Sequence, residues 1–482
     1  MGEGLYRAYL TARYRQRDAF EIYAVGESST YGQPYGPSAA FPELVKMMFE
    51  ARLAGRPIVV HNLGRPGDTM YPQSVDLLRM LKVRDKSEPA VVLIYSGHNE
   101  SFQRTEERPY LAGSYSALKR ELLYHSLLAS DLLILFERRS GFQGLRDFVD
   151  YDYHVRRVIE ASRQSGALPI LSTVIGNVGG VEPNVACVAG DQPPGPSCAS
   201  VSELLEPGLR LERAGRSKQA LALYDGLLAD HRSLEPLLRY RIAKCLEAQG
   251  RFALARHEFW RAIDAEGPGT FGRAKTGLND YLKRIAKEYA IPLVDAVALF
   301  ESHSPHGIVG NELMSDGHHP NMQGYLILAE GFARQISRAF SEPIHRTLDE
   351  QDAFREAGLG SSEQARALTD SGLWLLFVSI GHPEAQGRFE LAERRFESAA
   401  ALDPEDYKAW SGLALAQAAR RKGMPLDPAY ADAVRRWVFS NGCPPAGEAA
   451  ALAQRMKAEG VDASVLEGML RAGTRPCGSL RN

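Results

Sequence analysis

Residues 20–32 read FEIYAVGESSTYG. An apolar run, Phe20 to Val25, halts at Gly26, and an acid and two hydroxyls follow at once as Glu27, Ser28 and Ser29. Apolar character with a glycine stop is the signature of a buried strand. A serine directly after a strand is most often an ordinary turn residue. Whether Ser28 is more than that depends on what the rest of the chain brings to the same end of the sheet.

The strand signal recurs outward from this stretch. Residues 57–61 (PIVVH), 90–95 (AVVLIY), 168–173 (LPILST) and 291–295 (IPLVD) read as four further strands, and 90–95 is apolar throughout, as expected of a strand covered on both faces. Helical periodicity separates them, over 41–54, 74–81, 116–136, 151–165 and 276–289, and 322–340 reads as a closing helix. Repeated strand-then-helix order predicts a parallel sheet with helices on both faces, an α/β fold of flavodoxin-like type.

At about residue 200 the pattern becomes wholly helical. Gly215, Ala220, Tyr224 and Leu227 recur 35 positions later as Gly250, Ala255, Phe259 and Ala262, and again as Gly387, Ala392, Phe396 and Ala399. Small, small, aromatic, apolar at this spacing resembles the tetratricopeptide repeat, in which small residues let paired helices approach and the aromatic fills the gap between hairpins. The α/β pattern therefore looks interrupted. The expected division is 1–200 as the first part of the α/β domain, 201–268 as a helical insertion, 269–345 as its second part and 346–482 as a C-terminal helical module.

Bulk composition excludes several function classes. Of the 482 residues, 44% are hydrophobic and 24% charged, with a net charge of −2, so no bulk electrostatic field draws nucleic acid or an acidic membrane surface. No apolar run approaches a membrane span. No Walker-type phosphate loop is present. The one Gly-x-Gly-x-x-Gly, Gly267 to Gly272, follows a helical repeat instead of a strand and reads as a junction turn. His303 and His306 lie three apart in a Pro/Gly loop without cysteines at ligand spacing, and no metal or cofactor is expected. Of the five cysteines, Cys187, Cys198, Cys443 and Cys477 flank turn-like sequence and are candidates for two disulfides; Cys245 falls in an amphipathic helix, as a core thiol would.

Three other stretches end strands, or lie near one, as Ser28 does: Asn62 to Thr69, Ser96 to Glu100, and Ser315 to Asn321. Together they hold what acyl transfer requires. A serine hydroxyl needs a base to take its proton. His319 is the candidate, and Asp316, three residues earlier, can accept from its other ring nitrogen. The oxyanion needs preorganised donors: the N–H of Ser28, the N–H of Gly67 and the Asn99 side-chain amide. His318 is a neighbouring alternative base, disfavoured by spacing. Tyr31, His98 and Phe102 are candidate pocket residues; Tyr35 lies nearby. His61 and Asn62 read as strand-end packing.

These four blocks resemble the SGNH hydrolases, the GDSL-like esterases. Gly26-Glu27-Ser28-Ser29 stands at the family's Gly-Asp-Ser-Leu, Asn62 to Thr69 at its second block, Gly97-His98-Asn99-Glu100 at Gly-x-Asn-Asp, and Asp316-Gly317-His318-His319-Pro320 at Asp-x-x-His-Pro. Glu27 and Glu100 depart from the pattern, each replacing Asp. The resemblance implies an SGNH fold and an ester hydrolase or acyltransferase working through a Ser28 acyl-enzyme on a small-molecule, lipid or glycan ester. The competing expectation is a tetratricopeptide scaffold with an idle hydrolase domain. Gly-Glu-Ser-Ser with Ser-Gly-His-Asn-Glu looks like a bacterial subgroup with such repeats and an N-terminal membrane anchor. That likeness implies a cell-envelope, periplasmic or extracellular location, with the cytoplasm as the alternative. It also accounts for the missing N-terminal anchor as truncation. Separately, the helical repeats are expected either to overhang the site as a lid or to dock a protein partner or carrier.

Overall fold

The structure, a computed structural model, describes residues 18–100, 151–185, 198–266, 272–422, 431–435 and 446–458, with isolated positions 460, 463 and 467. The chain divides into two compact units: 1–175, 272–299 and 322–353 form the first, and 176–271, 300–321 and 354–482 the second. The 116–136 helix reading, Phe102, Cys187, Cys443, Cys477 and most of the Gly267–Gly272 turn lie outside the described residues, as does the side chain of Cys198.

The first unit is built on a six-stranded sheet: β1 (Phe20–Gly26), β2 (Arg52–Leu53), β3 (Arg56–Asn62), β4 (Ala90–Tyr95), β5 (Ala167–Ser172) and β6 (Leu293–Val294), in the order β2-β3-β1-β4-β5-β6. All pairings except β2 with β3 are parallel. The five parallel strands are the five read from sequence, and their order is the flavodoxin-like one. β1 and β4 are buried along their whole lengths, which explains their unbroken apolar character. Helices Phe41–Met48 and Met322–Phe340 pack together, with Phe41 and Phe332 stacked at 4.9 Å. Helices Met70–Val83 and Tyr151–Gln164 also pack together, and Tyr281 of helix Thr276–Glu288 donates to Asp152 at 2.6 Å.

The sequence reading misses β2. Helical periodicity over 41–54 stops at Met48, and the chain turns back through Glu50 and Ala51, both with positive φ, into the short strand. Ala54 and Gly55 also have positive φ and close a two-residue hairpin onto β3. Backbone pairing at the sheet edge outweighs local helix propensity here. Likewise the 74–81 helix begins earlier, at Met70, and helix Ala296–His303 was not anticipated.

In the second unit the helices fall as hairpins: Cys198–Arg213 with Ser217–Asp230, Glu235–Ala248 with Phe252–Asp264, and Ser361–Val378 with Gln386–Leu402, followed by Tyr407–Lys422. Ala220, Tyr224, Ala255, Phe259, Ala392 and Phe396 are fully buried. The aromatics seat over glycines of neighbouring helices: a Cβ on Gly208 would lie 2.4 Å from the Tyr224 ring, and one on Gly412 would lie 2.2 Å from Phe396. Gly215 and Gly250 carry positive φ at the inter-helix turns, where a side chain is strained. Gly387 departs from this equivalence. It lies in the first turn of its helix, and its N–H, with that of Arg388, donates to the buried Glu182 carboxylate at 2.7 and 3.2 Å. The helix thus receives an acidic cap at its positive end. Cys245 is buried and reduced, and burial pushes its thiol up to about 12.

Candidate active site

Ser28 opens a four-residue helix, Ser28–Tyr31, immediately beyond β1. Here the strand order reverses, because β1 is flanked by β3 on one side and β4 on the other. Such switch points are where parallel α/β sheets open a crevice at their carboxyl ends.

Within the first unit, the three blocks read from sequence meet there. Gly26 pairs with Tyr95, and a Cβ on Gly26 would lie 2.0 Å from the Tyr95 carbonyl oxygen. The Thr30 hydroxyl donates to that same carbonyl at 2.8 Å. Asn62 is more than the strand-end packing residue expected: its side-chain amide donates to the Thr30 carbonyl at 2.8 Å and its Oδ1 accepts from the Gly64 N–H at 2.9 Å. Gly64 has no room for a side chain, since a Cβ would lie 2.3 Å from the Tyr31 nitrogen. The Arg65 N–H donates to the Gly26 carbonyl at 3.2 Å, closing the second block against the first. Gly67 has φ +76°, a left-handed conformation that suits glycine.

The third block is tied to the other two by side chains. Asn99 Nδ2 donates to the Asp68 carbonyl at 3.0 Å. Glu100, one of the two departures from the family pattern, accepts from the Met70 N–H at 2.7 Å and so caps helix Met70–Val83. Glu27, the other departure, is buried beneath the turn after β4. Its carboxylate accepts from the Ser96 hydroxyl, from the Gly97 N–H at 2.9 Å and from the His98 N–H. Burial outweighs these three donors and pushes its pKa up to about 7. The sequence gives no sign that Glu27 and Glu100 link blocks, because their partners are set by strand order.

The candidate pocket residues differ in exposure. Tyr31 is half-buried and Tyr35 packs edge-on to Tyr325. His98 is buried against Tyr95, its Nδ1 accepting from the Ala274 N–H at 3.3 Å. His61 stacks on Tyr23 at 4.7 Å.

Two outcomes of substitution follow from this wiring. Gly26→Ala forces its methyl into the Tyr95 carbonyl and should cost about 3 kcal/mol or more, read as a lowered urea midpoint. Glu27→Gln bears on pH dependence. Glu27 holds its proton up to about 7 when folded against 4.5 ordinarily, so the folded state binds more protons between those values. Native stability attributable to Glu27 therefore falls as pH rises through that window, by about 3 kcal/mol in total. The urea midpoint of Glu27→Gln should gain on the wild type from pH 5 to pH 8; a constant difference would exclude this account.

The second unit carries the acid–histidine pair on a hairpin. Met314 and Pro320 form an antiparallel bridge, the Ser315 N–H donates to the His319 carbonyl at 2.8 Å, and the Asn321 N–H donates to the Leu313 carbonyl at 3.0 Å. At the tip, Asp316 Oδ1 accepts from the His318 and His319 N–H groups, each at 2.9 Å, and Oδ2 lies 2.7 Å from His319 Nδ1. Burial alone would raise the Asp316 carboxyl; His319 and His318 overcome it and hold the group well below the usual carboxylate range. A carboxylate at Nδ1 fixes the tautomer with Nε2 as acceptor. Asn177, missed from sequence, supports this tip: its Nδ2 donates to the Asp316 carbonyl at 3.0 Å and its N–H to the Gly317 carbonyl at 2.9 Å.

Asp316, His318 and His319 offer metal-donor atoms within 4.8 Å of one another. Both Asp316 oxygens are already engaged, so a cation there would displace the Asp316–His319 hydrogen bond.

The tetratricopeptide repeat family model matches residues 205–269 and 384–437. These helical segments are tetratricopeptide repeats. No curated protein matches the chain with significance. Among solved structures, the chain is similar to a member of the lipolytic protein G-D-S-L family from Veillonella parvula, at 13% identity, covering 66% of this chain and 99% of that one with a TM-score of 0.31. It is also similar to a GDSL-like lipase from Bacteroides thetaiotaomicron, at 13% identity, covering 70% of this chain and 98% of that one with a TM-score of 0.32.

Proposed function

We propose that this chain is a serine esterase or acyltransferase of SGNH type. The observation that carries the reading is the buried Asp316–His319 pair, an imidazole whose Nδ1 lies 2.7 Å from the carboxylate that orients it, the arrangement a general base requires. The preformed turn that presents Ser28 at the switch point supplies the nucleophile side of the same chemistry.

In this mechanism Ser28 Oγ attacks the ester carbonyl as its proton passes to His319 Nε2. The oxyanion is held by the Ser28 and Gly67 N–H groups and by Asn99 Nδ2, whose other hydrogen is given to the Asp68 carbonyl. His319 returns the proton to the leaving alcohol, and the acyl-Ser28 ester passes its acyl group to water or to another hydroxyl or amine. Asp316 stays ionised throughout, orienting and stabilising the imidazolium. No metal or cofactor enters these steps.

The substrate is an acyl ester of a small molecule, lipid or glycan, and the repeats give the enzyme a surface for a protein partner or acyl carrier. We propose a cell-envelope location for it, on the resemblance of its Gly-Glu-Ser-Ser and Ser-Gly-His-Asn-Glu blocks alone. Turnover of p-nitrophenyl acetate by the intact chain and by Ser28→Ala tests the reading. Equal activity in both excludes Ser28 as nucleophile; inactivity of both, with intact folding, favours the scaffold alternative.

A further inference from the structure

The hairpin bearing Asp316 and His319 is held by two C-terminal helices within the second unit. Ser371, on helix Ser361–Val378, is buried and its hydroxyl donates to the Ser315 carbonyl at 2.9 Å. Arg395, on the paired helix Gln386–Leu402, donates from Nη2 to the Met314 carbonyl at 2.8 Å and from Nε to the Ser315 carbonyl at 3.3 Å. These are the two carbonyls directly before Asp316. Both donor helices pack together as one hairpin, with Phe396 seated against Gly372 and Gly412; the repeat match covers the second of the two helices. The hairpin tip is also held by Asn177, so the Asp316–His319 segment is anchored by a second, separate stretch of chain.

A surface repeat built only to bind a partner has no reason to spend a guanidinium on backbone carbonyls of another segment. Charge-assisted donors to two successive carbonyls fix position and rotation of that peptide more tightly than one neutral bond. We infer that the helical hairpin formed by Ser361–Val378 and Gln386–Leu402 is part of the catalytic apparatus, with Arg395 and Ser371 as positioning residues. They act through the Met314–Ser315 backbone to set the orientation of the Asp316–His319 pair. This rests on the esterase reading for its effect on turnover, but its structural core, the orientation of the pair, is measurable without it. Misplacing a catalytic group by about 1 Å costs on the order of 100-fold in rate.

The test uses the full chain with Arg395→Ala, Arg395→Lys and Ser371→Ala. Two readouts apply: steady-state kinetics on p-nitrophenyl acetate, and the downfield proton resonance of His319 Nδ1–H, assigned by its absence in His319→Ala. Arg395→Ala should lower kcat about 10- to 100-fold with KM within about twofold, and should shift or broaden the resonance. Arg395→Lys should restore part of both, and Ser371→Ala should show a smaller change in the same direction. An unaltered resonance with unaltered kcat in folded Arg395→Ala overturns the inference. If Arg395→Ala does not fold, Ser371→Ala decides by the same two readouts. If the wild type has no Ser28-dependent turnover, the esterase reading fails, and the resonance alone decides whether the two helices orient the pair.

Discussion

Ser28→Ala should lower ester turnover by about 10⁴-fold or more, and His319→Ala by a similar factor. Removing either leaves the oxyanion donors and the binding surface intact, so a residual rate above the uncatalysed reaction should survive in each. The double variant should be no worse than either single one, because nucleophile and base act as a unit. A fluorophosphonate probe should label wild-type Ser28 covalently, should fail on Ser28→Ala, and should react far more slowly with His319→Ala. Additive losses in the double variant, or labelling at another serine, would assign the chemistry elsewhere. Ser28 begins a helix of only four residues whose backbone is pinned by Thr30 to the Tyr95 carbonyl, so an alanine there should leave folding unchanged.

Asp316→Asn is expected to have the second largest effect, on the order of 10⁴-fold in kcat. The asparagine carbonyl can still accept the His318 and His319 N–H groups that Asp316 Oδ1 accepts, so the hairpin should persist. Its amide would face His319 Nδ1, however, and would turn that nitrogen into an acceptor. Nε2 would then carry the proton and could not take one from Ser28. The pH dependence follows from the direction of the Asp316 shift. A carboxyl held below its ordinary range contributes stability that is present above the unfolded value and is lost only as pH falls through the folded one. Asp316 is therefore ionised across the working range, so the loss in Asp316→Asn should be present at every working pH. A variant with normal kcat would show that Asp316 only holds the hairpin together.

Much of this was legible in residue order. The five parallel strands are visible as apolar runs ended by turn residues, since burial on both faces leaves few polar positions to choose. The tetratricopeptide spacing is visible for a related reason: close helix approach admits only small residues at fixed positions, as at Ala220, Ala255 and Ala392. The candidate nucleophile, base and orienting acid could be picked out because their residue types and the Asp316-to-His319 interval are dictated by reaction chemistry and by a local loop. The edge strand β2 was hidden because its two residues are too short to show a period.

What chain order could not supply were the contacts made at long range. From sequence Glu27 is only a departure from the Asp of the pattern; the adjacency of β1 and β4 sets its carboxylate under the Ser96–Gly97 turn. In the first unit Asn62 reaches Thr30 and Asn99 reaches Asp68, and in the second Asn177 and Arg395 reach the carbonyls around Asp316, because folding of each unit brings together loops distant in sequence. Residue types suited to the chemistry and to helix or strand period are local properties, and the amino-acid order determined them. Which backbone groups those side chains must satisfy depends on neighbours distant in sequence, and only the tertiary structure decided it.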